Sequence, residues 1–236
     1  MYNQTSDLGL ISVDTLLEKA AHGTDALLVL SGGLDSAYLL WRYAQVVKDR
    51  PIHVHFIELY PSFSPRNRVE DMALIKQIEY IDRDVSVTRS ILDTTAKLPL
   101  LRDVSLGLML SGEIAMQKGC EYIAAGDDLP TALHRGLPNS VEDPREAAMF
   151  KAVSGFIRAE TKGVVDIAFS FETHKLQKAY EEMPDDYMGL AVSCRRPITD
   201  NGRVTPCGSC HSCEKNKLFG FFNRVSKGLV LPSTPQ

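Results

Sequence analysis

The chain has 236 residues with a net charge of −4, and 44% of its residues are hydrophobic. This predicts a soluble globular protein whose core fills one large domain, or a domain with an appendage. No apolar run is long enough to span a bilayer, and residues 1–25 carry acidic side chains where a signal peptide needs a basic start. We therefore expect a cytoplasmic protein without a membrane partner, and the negative charge argues against a general nucleic-acid binder.

Strand patterns and helix patterns alternate along the chain. An amphipathic helix is predicted within 1–26, with Val13, Leu16, Leu17 and Ala20 on one face. The predicted strands are 27–30, 51–59, 84–91, 121–126 and 164–169. The other predicted helices are 37–47, 68–82, 105–118, 144–159 and 173–183. This alternation predicts an α/β fold, with a parallel five-stranded sheet covered by helices on both faces.

A loop of small and polar residues connects the first strand to the next helix, with the sequence Ser31-Gly32-Gly33-Leu34-Asp35-Ser36. Its glycines let a bulky anion approach the main chain, and the N–H groups at a helix start favour a phosphate. Ser31 and Ser36 can donate hydroxyl hydrogen bonds to the same anion, while Asp35 can hold Mg²⁺ or cap the helix. The alternative is an ordinary capped turn without a ligand.

Four cysteines near the C-terminus have the spacing C-x12-C-x2-C-x2-C and are Cys194, Cys207, Cys210 and Cys213. Four thiolates complete the tetrahedral shell of Zn²⁺, so the spacing predicts a structural zinc site without an open position. Two disulfides are the alternative, which a cytoplasmic location disfavours. We expect a nucleotide-binding domain in 1–190, including the N-terminal helix, and a zinc-binding subdomain in 191–236.

Several other candidate groups have a structural interpretation beside the functional one. His53 and His55 share a face of the second strand, but no third metal ligand is nearby, so we interpret them as structural histidines. Cys120 is expected in the core. Thr173 would cap a helix with Lys175 in its first turn, where a cation opposes the helix dipole unless a phosphate lies between them. An ordinary surface lysine is the alternative.

The glycine-rich loop resembles the pyrophosphate-binding loop (PP-loop) of the ATP pyrophosphatases, which implies cleavage of ATP between its α- and β-phosphates. Paired with the four cysteines, in this order and chain length, it resembles the 7-cyano-7-deazaguanine synthase family over most of 25–222. Arg102 falls where that family carries Gly-Arg-Asn at its nucleotide site, and Lys175 where it carries a phosphate-contacting lysine. Ser193 and Cys194 are similar to the Ser/Thr-Cys pair that opens the family's zinc site.

This resemblance implies a reaction. Mg·ATP would bind the loop with Asp35 positioning Mg²⁺, and the carboxylate of 7-carboxy-7-deazaguanine would attack the α-phosphate to give an acyl-adenylate. Arg102 and Lys175 would neutralise phosphate charge, and Asp127 or Asp128 would face the substrate ring. Ammonia would displace AMP, and a second ATP-dependent round would dehydrate the amide to the nitrile. The family also implies a homodimer.

Two segments depart from the family pattern and leave the nucleophile open. Glu58-Leu59-Tyr60-Pro61 replaces Asp-Tyr-Gly-Gln, and 136–141 replaces Gly-Tyr-Pro-Asp-Cys-Arg. The first alternative is an enzyme of an antiviral gene cluster, similar to the synthases, that passes the activated deazaguanine to an amine of a protein partner. The second is a non-catalytic zinc module that binds RNA or protein through the cations Arg195, Arg196, Arg203, Lys215 and Lys217.

Overall fold

The structure, a computed structural model, describes residues 11–60, 65–93, 103–126, 144–169, 181–218, 220–227 and 229–230. Its helices are α1 (Val13–Ala21), α2 (Leu34–Val46), α3 (Pro65–Ile81), α4 (Asp103–Gln117), α5 (Pro144–Glu160), α6 (Asp185–Met188) and α7 (His211–Leu218). Its strands are β1 (Ala26–Leu30), β2 (Ile52–Tyr60), β3 (Val85–Asp93), β4 (Tyr122–Ala125), β5 (Asp166–Phe169), β6 (Ile198–Asp200) and β7 (Arg203–Thr205).

Strands β1 to β5 form one parallel sheet in the order β3-β2-β1-β4-β5. β1 is central and is buried along almost its whole length. It pairs with β2 from Leu27 opposite His53 and with β4 from Ala26 opposite Tyr122. Parallel neighbours require crossover connections, and helices supply them here. The predicted parallel five-stranded sheet is therefore confirmed.

Side chains of β1 alternate between two apolar cores, as successive residues of a strand must. Leu28 and Leu30 lie in one core with residues of α1, α2 and α3. Leu27 lies in a second core with residues of α4 and α5. Helices thus cover both faces, as predicted. The predicted amphipathic helix is confirmed as α1, whose buried residues are Val13, Leu16, Leu17 and Ala20.

The C-terminal part adds a small antiparallel hairpin that the sequence analysis did not predict. β6 and β7 pair with Ile198 opposite Thr205, and Asn201 and Gly202 form the turn. Both turn residues have positive φ, +48° and +77°. Positive φ at two central residues is typical of a type I′ turn, for which Asn-Gly is the usual sequence. The Asn-Gly pair was therefore a sequence signal for this hairpin, although the strands on either side of it are very short.

Some predicted segments lie outside the described residues, namely the loop at 129–143 and most of the predicted helix at 173–183. α2 begins earlier than the predicted residue 37, directly after Gly33. Among the helices that the structure describes, none is both long enough and apolar enough to cross a bilayer.

Candidate functional site

The phosphate loop, residues 31–36, lies at the carboxyl end of β1, in the middle of the sheet. β2 lies on one side of β1 and β4 on the other, so the connections diverge at this point. Open parallel sheets bind their ligands at such a switch point. The N-cap residue of α2 is Gly33, which places Asp35 inside the first turn and not at the cap.

Hydroxyl and backbone groups of the loop converge on one another. Ser36 is buried, and its Oγ accepts a hydrogen bond from the N–H of Ser31 at 3.1 Å. The two serine Oγ atoms are 3.2 Å apart, and the N–H of Gly33 is directed at Ser31 Oγ with a separation of 3.4 Å. Ser31 and Ser36 therefore lie together at the start of α2, next to the positive end of the helix dipole, and their contact with an anion stays a prediction.

The two glycines of the loop have different roles. Gly32 has a φ of +75°, and a Cβ built on it would lie 2.4 Å from the carbonyl oxygen of Glu70 in α3. Gly33 has an ordinary φ of −72°, and the nearest atom to its Cβ position is Ser31 Oγ at 3.3 Å. Gly32 therefore has a backbone angle that favours glycine, as the sequence predicted, and its missing Cβ also allows close contact with α3.

The end of β4 reaches the first turn of α2. A Cβ on Gly126 would lie 2.6 Å from the carbonyl oxygen of Asp35, so a larger residue could not bring the strand end this close to the helix. Asp127 follows Gly126 in the sequence but lies outside the described residues. The last described residue of this segment, Gly126, therefore lies beside the first turn of α2.

Residues 190–193, termed the strap, bind the phosphate loop from a distant part of the chain. The N–H of Val192 donates to the carbonyl oxygen of Gly32 at 2.9 Å. The N–H of Leu34 donates to Ser193 Oγ at 3.1 Å, across 159 residues of sequence. Ser193 therefore binds an N–H at the start of α2 that has no partner within the helix.

Buried Gln77 of α3 joins the strap to the loop. Its Nε2 donates to the carbonyl oxygens of Gly32, at 3.0 Å, and Leu190, at 3.3 Å. Sequence reasoning missed both Gln77 and the contact of Ser193 with α2. The sequence does place Gln77 one helical turn after Ala73, on the side of α3 that faces the core, and this spacing could have predicted that Gln77 is buried.

Three of the four predicted catalytic residues, Arg102, Asp127 and Lys175, lie outside the described residues. Asp35 is the predicted catalytic residue that the structure describes. Segment 136–141, which departs from the family pattern, also lies outside. The roles of these residues stay predictions.

The four predicted metal-binding residues form a second site, which we term the cysteine cluster: Cys194, Cys207, Cys210 and Cys213. Their Sγ atoms all lie within 4.8 Å of one another. Three pairs are separated by 3.5, 3.9 and 4.0 Å. A tetrahedral ion with metal–sulfur bonds of about 2.3 Å would separate its sulfurs by about 3.8 Å. The free thiols of the cluster therefore fit one tetrahedral metal ion.

Backbone N–H groups point at sulfurs of the cluster. Cys194 Sγ accepts from the N–H of Cys207 at 3.2 Å and of Arg196 at 3.4 Å, and Cys210 Sγ accepts from Arg195 at 3.5 Å. Such donors stabilise bound thiolates. Burial raises the pKa of Cys194, whereas a hydrogen bond from a neighbouring backbone N–H lowers the pKa of Cys207 to about 6. A metal ion would bind all four groups as thiolates.

Two structural interpretations from the sequence are confirmed. His55 is buried, with Nδ1 2.7 Å from Ser111 Oγ and Nε2 2.9 Å from Ser90 Oγ. Burial lowers the pKa of His55 to about 4, so the ring is neutral at pH 7. Cys120 is also buried, which raises its pKa to about 12. Neither residue belongs to the phosphate loop or the cysteine cluster.

Comparison with known proteins adds little to this geometry. No protein-family model matches the chain, and no curated protein matches it. Among solved structures, it is similar to the U34-tRNA thiolase NcsA from Methanococcus maripaludis with its 4Fe-4S cluster. The identity is 12%, over 87% of this chain and 88% of that one, with a TM-score of 0.34. A likeness of this degree assigns neither an activity nor a cofactor to the chain.

Proposed function

We propose that this chain is an ATP-dependent adenylating enzyme that binds the phosphates of ATP on residues 31–36. The observation that supports this most is the position of the loop. A Ser-Gly-Gly-Leu-Asp-Ser sequence stands at the switch point of a parallel sheet and continues directly into α2. Phosphates bind at such a helix start, because its N–H groups and dipole favour an anion.

In this reaction a carboxylate oxygen attacks the α-phosphorus of ATP. The bond from that phosphorus to the bridging oxygen of pyrophosphate breaks, and an acyl-adenylate forms. The protein supplies positioning and charge neutralisation and no covalent intermediate of its own. Ser31 and Ser36 would bind phosphate oxygens, and Asp35 would hold Mg²⁺, which neutralises phosphate charge. Arg102 and Lys175 are proposed as further phosphate contacts on the strength of the family resemblance.

The acceptor that we propose is the carboxylate of 7-carboxy-7-deazaguanine, with Asp127 facing its ring. This choice rests on the pairing of the phosphate loop with four C-terminal cysteines. Ammonia would then displace AMP to give an amide, and a second ATP-dependent round would remove water to give 7-cyano-7-deazaguanine. Transfer of the activated acyl group to an amine of a protein partner shares the first step and differs only in the nucleophile. A homodimer is part of the proposal.

Zinc is the metal that we propose for the cysteine cluster. Four thiolates leave Zn²⁺ no open position, so the ion would stabilise the subdomain without touching substrate. An iron–sulfur cluster is the other common occupant of a four-cysteine site. In a four-iron cluster each thiolate binds a different iron atom, which would spread the sulfurs farther apart than one shared ion does. The mutual spacing of at most 4.8 Å favours a single ion.

The test is a reaction of purified protein with Mg·ATP, 7-carboxy-7-deazaguanine and ammonium, followed by mass spectrometry of nucleotide and deazapurine products. We expect AMP and the nitrile. Asp35→Ala should lower AMP release about 100-fold or more, because a charge-neutralising group at the phosphates is lost. Asp200→Ala is the matched control, since that exposed carboxylate lies on the β6–β7 hairpin, and it should react as the unmodified protein does.

The products distinguish the competing functions. If AMP formed without the nitrile, the nucleophile would not be ammonia, and transfer to a protein amine would be favoured. If neither AMP nor binding of Mg·ATP were observed, the adenylation proposal would be wrong. Binding of RNA or a protein that Asp35→Ala leaves intact, in the absence of ATP turnover, would favour the non-catalytic zinc module.

A further inference from the structure

The phosphate loop and the cysteine cluster are connected by one short segment. The strap ends at Ser193, and the next residue is Cys194, a member of the cluster. From this end the strap binds the loop twice, through the N–H of Val192 to Gly32 and through Ser193 Oγ to the N–H of Leu34. A single peptide bond therefore separates a cysteine ligand from a residue that binds the first turn of α2.

Packing and hydrogen bonds fix the strap on the side away from the loop. Val192 is buried in a small core with Ala73 of α3 and Val204 of β7. The N–H and hydroxyl of Ser226 both donate to the carbonyl oxygen of Ala191, at 3.0 and 3.1 Å. β7 ends two residues before Cys207, so one of the supports of the strap is continuous with the cysteine cluster.

The hydrogen-bonding capacity of Ser193 is only partly used. Its Oγ accepts from Leu34, and in the described part of the chain no acceptor binds its hydroxyl hydrogen. Ser193 is half-buried. A serine hydroxyl can accept and donate at once. The hydrogen is therefore available to an anion bound at the start of α2.

We infer that the cysteine cluster completes the nucleotide site. A metal ion bound to Cys194 fixes Ser193, which orients the N–H of Leu34 and donates its own hydroxyl hydrogen to a phosphate oxygen. Metal binding and nucleotide binding then strengthen each other, because coupling between two sites is reciprocal. The contact with phosphate rests on the proposed function, whereas the dependence of the loop on the metal does not.

The first test needs no nucleotide. Amide hydrogen exchange is measured on the metal-loaded protein and after removal of the metal with a chelator. We expect amides in 31–37 to exchange about tenfold faster or more without metal, while those of β4 and β5 keep their protection. If 203–218 lost protection and 31–37 did not change, the metal would not support the loop and the inference would be overturned.

The second test measures Mg·ATP affinity by calorimetry on Ser193→Ala and Ser193→Thr, with metal content determined for each. Ser193→Ala loses a hydrogen bond to a charged oxygen, so we expect about tenfold weaker binding at unchanged metal content. Ser193→Thr retains a hydroxyl and should bind within about threefold of the unmodified protein. Ser212→Ala is the matched control, because this serine is also half-buried and also directly precedes a cysteine of the cluster, and it should bind Mg·ATP as the unmodified protein does.

These outcomes separate the inference from the proposed function. Equal ATP affinity of Ser193→Ala and the unmodified protein would overturn the phosphate contact while leaving adenylation in place. If the unmodified protein bound no ATP at all, the proposed function would fail together with the phosphate contact. The exchange experiment would still decide whether the metal orders the loop.

Discussion

The phosphate loop and the cysteine cluster are held in place by different means. The loop stands at the end of a buried central strand, between α2, α3 and the strap, so surrounding packing defines its shape. The cluster joins the β6–β7 hairpin to α7, and this part of the chain has little apolar core. Every residue of β6 is exposed, and in β7 Val204 alone is buried.

The difference indicates where the free energy of folding originates in each region. Burial of apolar side chains stabilises the sheet and with it the loop. The hairpin and α7 have few such groups, and small domains of this kind depend on a metal ion or disulfides. The strap connects the two regions, because it binds the phosphate loop through two hydrogen bonds and continues into Cys194.

Removal of the metal is the change with the largest expected effect. Chelation should unfold β6, β7 and α7 while the parallel sheet stays folded, because a structural zinc ion contributes about 10 kcal/mol or more to folding of small modules. Limited proteolysis with mass spectrometry would locate the new cleavage sites. We expect them within 195–218 and not within β1, β2 or β4.

Cysteine variants provide the matched control for metal loss. Cys213→Ala removes one of the four predicted ligands and should lower the bound metal below one ion per chain. Cys120→Ala changes the cysteine outside the cluster, and the metal content should stay at one ion. A full metal complement in Cys213→Ala would show that the cluster is not the metal site.

The two glycines of the loop allow a sharper test of the core-built region. Gly32→Ala places a methyl group 2.4 Å from Glu70 O at a φ of +75°. We expect it to lower the free energy of unfolding by about 4 kcal/mol, from left-handed backbone strain and overpacking. Gly33→Ala has an ordinary φ and no contact below 3.3 Å, so its effect on stability should stay below about 1 kcal/mol.

Denaturant unfolding followed by fluorescence of the single tryptophan, Trp41, measures both variants. Trp41 lies in α2 and packs against the core of the sheet, so it reports on this domain and not on the cysteine cluster. Equal losses of stability in the two variants would contradict the distinct roles assigned to the glycines.

The parts predicted correctly from the sequence depend on local patterns. The apolar run before Ser31 predicted β1, and the short spacings of Cys207, Cys210 and Cys213 predicted the cluster. Both signals extend over a few residues, and the geometry of a strand or a metal ion determines the rest.

The missed contacts depend on residues that only the fold brings together. Ser193 meets Leu34 across 159 residues. Position 32 requires glycine because the backbone of α3 lies against it, and no local sequence pattern predicts that α3 packs there. Gln77 is a polar residue among core positions, and its partners are backbone carbonyl groups that the sequence cannot identify. Long-range packing therefore supplied the details of the site that spacing could not.

Acidification tests the sheet through His55, with a smaller expected effect. Burial lowers the pKa of His55 to about 4 from its ordinary 6.5, so between these values the unfolded chain binds the proton and the folded chain does not. The contribution of neutral His55 to the free energy of unfolding should be complete above pH 6.5. It should fall as the pH decreases toward 4, by about 3 kcal/mol at most. Denaturant unfolding by Trp41 fluorescence across this range measures the loss.

Two variants isolate the contribution of the buried ring from other titrating groups. His55→Gln keeps a donor and an acceptor near Ser111 and Ser90 but cannot titrate, so the slope of stability against pH should flatten between 4 and 6.5. His22→Gln changes an exposed histidine and should retain the slope of the unmodified protein. An unchanged slope in His55→Gln would mean that the acid sensitivity arises from another titrating group and not from His55.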